Sequence, residues 1–344
     1  MAMARIVRPV FIPQRLLSLL MCKRLFAVLL PALLWGTAQS LSAQSLLKRL
    51  DSVLTRNYHK VNYDTAYIAR PQSKWAVVAR VNISGMAVES KGIDNGQYFK
   101  SRINAKSKAT VSLGVSYQGI LLSLSFNPAQ LAGKYHDYEL NMNCYRRNFG
   151  FDIIYHDAKN FKGRYDEDGG VHIDLPDDKL KVKTLNLNAY YAFNNRRFSY
   201  PAAFSQSYIQ RRSAGSFLLA ASAMSQRATL DWEQEQKLNT FNIGLGAGYG
   251  YNYVPHEGWL LHLSLLPTFI VYSNSSITIG ADHFKQHYHF PEFIATGRAS
   301  VVRLWRNKYV GLSMVYNFTN IGDKDELAVY NAKWRLRGFF GLRI

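Results

Sequence analysis

Residues 241–253 read FNIGLGAGYGYNY. In an extended chain Phe241, Ile243, Leu245, Ala247, Tyr249, Tyr251 and Tyr253 share one face, and Asn242, Gly244, Gly246, Gly248, Gly250 and Asn252 share the other. Side chains alternate across a strand, so the pattern describes one apolar, aromatic face backed by small and polar residues. Strands of soluble sheets run about 5–6 residues, whereas a tilted strand needs about 9–11 to cross a bilayer. This run is long enough to cross. No apolar stretch after residue 74 is long enough for a membrane helix, so any crossing there falls to strands.

The same alternation recurs over 75–88, 107–117, 119–126, 137–146, 149–158, 180–194, 214–226, 239–251, 259–272, 293–306, 308–318 and 329–343. About twelve strands are therefore predicted, an even number, as single-chain outer-membrane barrels require. Connections alternate between long and tight, as outer loops and periplasmic turns do, with 195–213 the exception. The expected fold is all-β: an antiparallel transmembrane β-barrel over 75–344. In the closing segment KWRLRGFFGLRI, Trp334, Leu336, Phe340, Leu342 and Ile344 alternate with Arg335 and Arg337. Such a strand pairs with the first strand, leaves no open edge in lipid, and presents an end that barrel-insertion machinery recognises.

The N-terminus sets the compartment. Lys23 and Arg24 precede an apolar run over 25–35, then small residues up to Ala43. This is signal-peptide grammar, too short for a spanning helix. Cleavage is expected after Ala38 or Ala43, with Met21 an alternative start. Residues 1–43 are thus assigned as signal peptide and 44–74 as a periplasmic lead-in. The net charge of +19 raises nucleic acid as a partner, but an exported chain does not meet it. Outer-membrane lipids and a periplasmic protein are the expected partners, and paired arginines at turns suit anionic headgroups. After cleavage only Cys144 remains, so no internal disulfide staples the fold.

Parity turns Arg80, Arg298, Arg335 and Arg337 into the barrel, together with Glu139, Asp152 and His156. Buried charges need partners or water, so they either pair or line a wet pore. Segment 195–213, NRRFSYPAAFSQSYIQRRS, is too long for a turn and too aromatic for a linker. A short helix is expected around Pro201. The segment is predicted to fold inward, with Phe198, Tyr200 and Phe204 filling a groove left by Gly244, Gly246 and Gly248.

Three further groupings were weighed as sites. His262 and Ser264 share a strand face, the spacing of a base and a serine nucleophile. They point inward, and no partner acid or amide is evident. His283, His287 and His289, with Asp282 and Glu292 nearby, suit zinc or copper only if they converge. The acidic stretch from Asp166 to Asp178 fails the EF-hand frame, since Val171 stands where glycine is required. No catalytic, cofactor or metal site is assigned, and the chain is read as non-enzymatic.

YDTAYIARPQSKWAVVARVN (63–82), FSYPAAFSQSYIQRRSAGSFL (198–218) and RGFFGLRI (337–344) together resemble the Bacteroidota family known as domain of unknown function 4421. The resemblance implies an outer-membrane barrel and brings no catalytic residues with it. The functional expectation is a small pore or a component of envelope transport or assembly. The alternative is a docking barrel whose 195–213 segment binds a periplasmic partner; a lipid esterase comes third.

Overall fold

The computed structural model describes Ser52 and residues 61–94, 97–105, 107–117, 120–128, 137–159, 161–167, 171–175, 179–231, 235–286, 292–323 and 327–344. The segment read as a signal peptide, 1–43, and residues 44–60 of the expected lead-in apart from Ser52 lie outside these residues. From Val61 onward the chain forms one unit. Its strands are β1 (Ile68–Ala69), β2 (Trp75–Asp94), β3 (Gln97–Ala105), β4 (Lys108–Tyr117), β5 (Ile120–Phe126), β6 (Asp137–Tyr145), β7 (Phe149–Ala158), β8 (Phe161–Glu167), β9 (Val171–Leu175) and β10 (Leu180–Ala192). Helix α1 (Tyr200–Phe204) and β11 (Ile209–Gln210) follow. The remaining strands are β12 (Ala214–Asp231), β13 (Glu235–Tyr253), β14 (Trp259–Ile279), β15 (Asp282–Gln286), β16 (Phe293–Trp305), β17 (Lys308–Asp323) and β18 (Leu327–Arg343).

Neighbouring strands pair antiparallel from β6 through β7, β10, β12, β13, β14, β16 and β17 to β18. Strand β18 then pairs with β2 along nearly its whole length, from Leu327↔Gly92 to Arg343↔Ala76. The first and last strands of the barrel are thereby joined, and a curled antiparallel sheet of 12 strands results. Strand β2 has two partners in sequence: β4 along its first half and β3 along its second. Strand β5 lies beside β6, but among the described residues no ladder joins them.

Parity sorts the side chains as the alternation implies. Phe217 is 70% exposed and Leu263 68%, both facing outward, while Arg80 on the inner face keeps 6%. On β13 the outward face runs from Phe241 to Tyr251 and Tyr253, and Asn239, Lys237 and Glu235 carry it on in polar residues. On β2 it runs from Trp75 through Val77, Val81 and Ile83, then turns to Glu89 and Lys91. An apolar band with aromatic residues toward its edges is the lipid-facing belt of a membrane barrel. No described helix is long and apolar enough to cross a membrane, and the strands do the crossing.

Several connections expected to be loops are strand. β2 and β3 form a hairpin through 89–105, β8 and β9 form another within the acidic stretch, and β12, β13 and β14 all run past the apolar belt. Alternation of apolar residues stops where lipid stops, but the backbone ladder continues. Charge pairs within and between strands take over there. Lys91 bonds Glu89 at 2.7 Å, which holds the Glu89 carboxyl below its ordinary pKa. Arg164 meets Asp174 at 3.3 Å.

Candidate functional site

One end of the barrel is closed from within. Segment 195–213 carries α1, whose N-cap Ser199 accepts a hydrogen bond from the Ala202 N–H and whose first turn contains Pro201. All five helical residues are buried. Phe198, Tyr200 and Phe204 join a core with Tyr190, Leu218, Leu260, Val302, Tyr309 and Phe339, which reach inward from strands right around the ring. Arg343 of β18 donates to the Gln206 carbonyl at 3.0 Å. This is the end that holds the tight turns and the start of β2, the periplasmic end of an outer-membrane barrel.

The lead-in completes the closure. Strand β1 pairs with β11, and Ile68 is fully buried in the same core. The Asp64 N–H donates to the Arg196 carbonyl at 2.9 Å, and the Arg211 N–H to the Tyr67 carbonyl at 2.7 Å. Arg70 reaches the Tyr208 hydroxyl at 2.6 Å. Residues 61–74 and 195–213 therefore form one cap, a partnership that alternation cannot reveal because neither segment belongs to the barrel sheet.

The glycine groove needs correction. Strand β13 does turn its glycines inward, but the space beside Gly246 and Gly248 is taken by the backbone of β14. A Cβ at Gly246 would stand 2.1 Å from the Pro267 carbonyl oxygen, and one at Gly248 2.0 Å from that of Leu265. At Gly244 the neighbours are Ser222, Thr268 and the Phe269 carbonyl. The β13–β14 register shifts between Ile243 and Gly244. These glycines admit a neighbouring strand. Only Gly250 meets the cap, where a Cβ would lie 3.1 Å from the Phe198 ring.

His262 and Ser264 have the amide partner that the sequence did not disclose. Asn252 stands opposite His262 in the β13–β14 ladder. The polarity of the chain can be read from its fixed end. The Gln210 amide group donates to the carbonyls of Arg197 at 2.6 Å and Arg212 at 2.9 Å, so its oxygen accepts from the Ser199 N–H and the Asn252 amide. Asn252 Oδ1 must then accept from His262 Nδ1 at 2.7 Å, leaving Nε2 to accept from the Ser264 hydroxyl at 3.0 Å. The tautomer follows from the network. Ser–His–Asn in this polarity is a base beside a hydroxyl nucleophile, yet Ser264 and His262 are buried and the rings of Phe198, Tyr200 and Phe204 crowd His262. In this position the chain ties the barrel wall to the cap.

Above the cap lies a polar interior. Arg298 bonds Asp152 at 2.6 Å, and the Tyr145 hydroxyl donates to the same carboxylate at 2.5 Å. The Arg298 guanidinium sits 5.9 Å from the ring centres of both Tyr200 and Phe204. Glu139 pairs with Arg335 and, at 2.9 Å, with Lys108, which also reaches His156 at 3.1 Å. Arg337 donates to the Asn82 side-chain oxygen at 2.7 Å. Lys108 and Tyr145 were not among the sequence candidates, although the parity that turned Glu139 inward applies to Tyr145 as well. Two cavities of about 110 and 60 Å³ lie within this polar interior and share Arg335 and Arg337 in their walls.

The remaining groupings do not converge. His283 on β15 bonds the Thr278 hydroxyl at 3.0 Å, Glu292 is buried and accepts from the Gly322 N–H, and His287 and His289 lie outside the described residues. Among the described residues no three His, Cys, Asp or Glu side chains assemble as a metal site.

A model of the family described as "Domain of unknown function (DUF4421)" matches residues 62–343. None of the curated proteins compared with the chain matches it. Among solved structures, the outer-membrane protease OmpT of Escherichia coli aligns at 8% identity over 83% of this chain and 100% of its own, with a TM-score of 0.46. OprG of Pseudomonas aeruginosa aligns at 12% identity over 79% and 98%, with a TM-score of 0.29. The toluene transporter TodX of P. putida aligns at 6% identity over 80% and 91%, with a TM-score of 0.28. The apolar belt on a closed sheet, with a polar interior, is the architecture of an outer-membrane protein of Gram-negative bacteria.

Proposed function

The chain belongs to the family of domain of unknown function 4421, and on that footing we propose a gated barrel: an envelope transport component that is shut at rest and passes a polar solute only when its periplasmic cap moves. One observation carries this reading. Phe198, Tyr200 and Phe204, locked by β1 and by Gln210, fill the periplasmic end, while charged and hydroxyl side chains line the interior above them. A permanently open pore has no use for such a cap, and an inert anchor has no use for a polar, charged interior, which costs stability compared with an apolar filling.

The test is conductance in a planar bilayer. The intact barrel is expected to be silent, and replacing 198–210 by a short Gly-Ser linker is expected to open discrete steps. Steady conductance from the intact barrel, or silence from a folded deletion variant, overturns the proposal.

Ester hydrolysis is a second reading, favoured by the Asn252–His262–Ser264 chain. It requires α1 to lift off Ser264. A fluorophosphonate probe should then label a variant with Phe198, Tyr200 and Phe204 all changed to Ala, and Ser264→Ala should abolish the labelling. No label on a folded triple variant leaves the chain as a latch.

A further inference from the structure

We infer that the larger interior cavity is a binding site for a small oxyanion, of phosphate or sulfate type. Across the two cavities the lining cations are Arg80, Lys108, Arg298, Lys333, Arg335 and Arg337, and the lining carboxylates are Glu139 and Asp152. The excess of positive charge is large for a space inside a membrane barrel. Buried charge without a partner is costly, and a site with this imbalance is stabilised by an anion.

Arg80 makes the case specific. Its side chain is more than nine-tenths buried and lines the larger cavity, and among the described residues it has neither an ion pair nor a hydrogen-bond acceptor. The β2–β18 register, Arg80↔Phe339 and Asn82↔Arg337, sets Arg80 diagonally across from Arg337, a like charge. Among the described residues Arg337 donates only to the neutral Asn82 oxygen, through Nε, which leaves the rest of its fork for another ligand. Two guanidinium forks beside a common space suit the oxygens of a tetrahedral anion, because the fork matches phosphate and carboxylate geometry in a bidentate way.

The wall beside them, on β2, β4 and β5, complements them. The Asn82 amide donates to Thr110 at 3.1 Å and to Ser112 at 3.3 Å, and Ser112 meets Ser125 at 2.8 Å. These hydroxyls add neutral donors without adding negative charge. The cavity, at about 110 Å³, exceeds several times the roughly 10–15 Å³ that one water needs. It is large enough for one tetrahedral oxyanion with water.

The same wall suggests two ways in. The cavity reaches β5 through Ser123 and Ser125 and β6 through Tyr138 and Glu139, the two strands that no ladder joins among the described residues. An oxyanion can arrive free in water through the barrel, or as the headgroup of an anionic lipid through that seam. The chemistry at Arg80 and Arg337 is shared.

The inference rests on the gated-barrel reading for its biological sense, but its test is separate from conductance. The detergent-solubilised full-length barrel is titrated at constant ionic strength with inorganic phosphate, and in a parallel arm with dihexanoyl phosphatidic acid. Binding is followed by calorimetry and by the melting temperature. Saturable binding is expected in at least one arm, weakened about tenfold or more by Arg80→Gln. Without ligand, Arg80→Gln is expected to melt at or above the wild-type temperature, since it removes an unpaired buried charge. Response to phosphate identifies a free solute; response to the lipid alone identifies a headgroup. No saturable response in either arm, or the same response in Arg80→Gln and in Arg337→Gln, overturns the site. Conductance from the intact barrel, with phosphate binding retained, would sink the gating and leave the site standing.

Discussion

Gly246→Ala and Gly248→Ala are each expected to destabilise the barrel, and the double change to Leu at both positions to prevent assembly. A new Cβ would sit 2.1 Å from the Pro267 oxygen in one case and 2.0 Å from the Leu265 oxygen in the other. Both obstacles are backbone, so no side-chain rotation relieves them, and β14 must move. Overpacking of this kind costs about 1–3 kcal/mol per site, against which Ala offers a gain of roughly 0.5–1 kcal/mol in strand entropy. The balance is a loss. Gly297→Ala and Gly338→Ala are the controls, because a Cβ there meets its nearest neighbour at 3.9 and 3.6 Å. These two should be neutral or slightly stabilising. Urea unfolding of the refolded barrel in micelles, with heat-modifiable gel mobility to score assembly, checks all four. Assembly of Gly248→Ala with wild-type stability would mean that β14 does not pack there as described.

Why these glycines were legible as a feature but not in their role is a matter of which neighbour they face. Alternation specifies the side to which Gly246 and Gly248 point, and the structure agrees. It carries no information about strand register, and the clash is created by the register shift at Ile243/Gly244 and by Pro267 in the middle of β14. Proline in a central strand gives no N–H to the ladder, so irregular pairing near it has a sequence signal after all. The barrel itself was legible from end to end for a simple reason. Lipid on one side and a polar interior on the other impose strict period-two chemistry on every crossing strand. Past the belt that pressure is absent, and the outer parts of β2, β3, β8 and β9 looked like loops although the ladder continues through them.

The candidate site divides along the same line. Arg80, Asp152, Arg298, Arg335 and Arg337 were found by parity because each interrupts an otherwise small or neutral inner face. Their partners depend on which strands stand across the barrel from one another. Arg298 on β16 and Asp152 on β7 are 146 positions apart in the chain, and no local pattern joins them. The docking of β1 onto β11 and the role of Asn252 depend on tertiary approach in the same way. Asn252 reads as one more polar residue on the glycine face until His262 is placed opposite it.

Asp152→Ala is expected to cost about 3–5 kcal/mol, the effect of removing one member of a buried ion pair. The carboxylate accepts from Arg298 at 2.6 Å and from Tyr145 at 2.5 Å, and both it and Arg298 are more than nine-tenths buried. Without it, Arg298 keeps a full charge beside Tyr200 and Phe204, where aromatic faces compensate only in part. Arg298→Leu alone should be about as damaging, since it takes the guanidinium countercharge from a buried carboxylate. The double variant Asp152→Leu with Arg298→Leu should recover most of the loss, because exchanging a whole buried pair for apolar side chains is often close to neutral. Asp152→Asn should fall between, keeping an acceptor oxygen for Tyr145 while giving up the countercharge. Urea unfolding of the wild type, Asp152→Leu, Arg298→Leu and the double variant closes a double-mutant cycle with an expected coupling above about 2 kcal/mol. Additive losses would mean that the two side chains act separately, and that Arg298 is held by the aromatic cap rather than by Asp152.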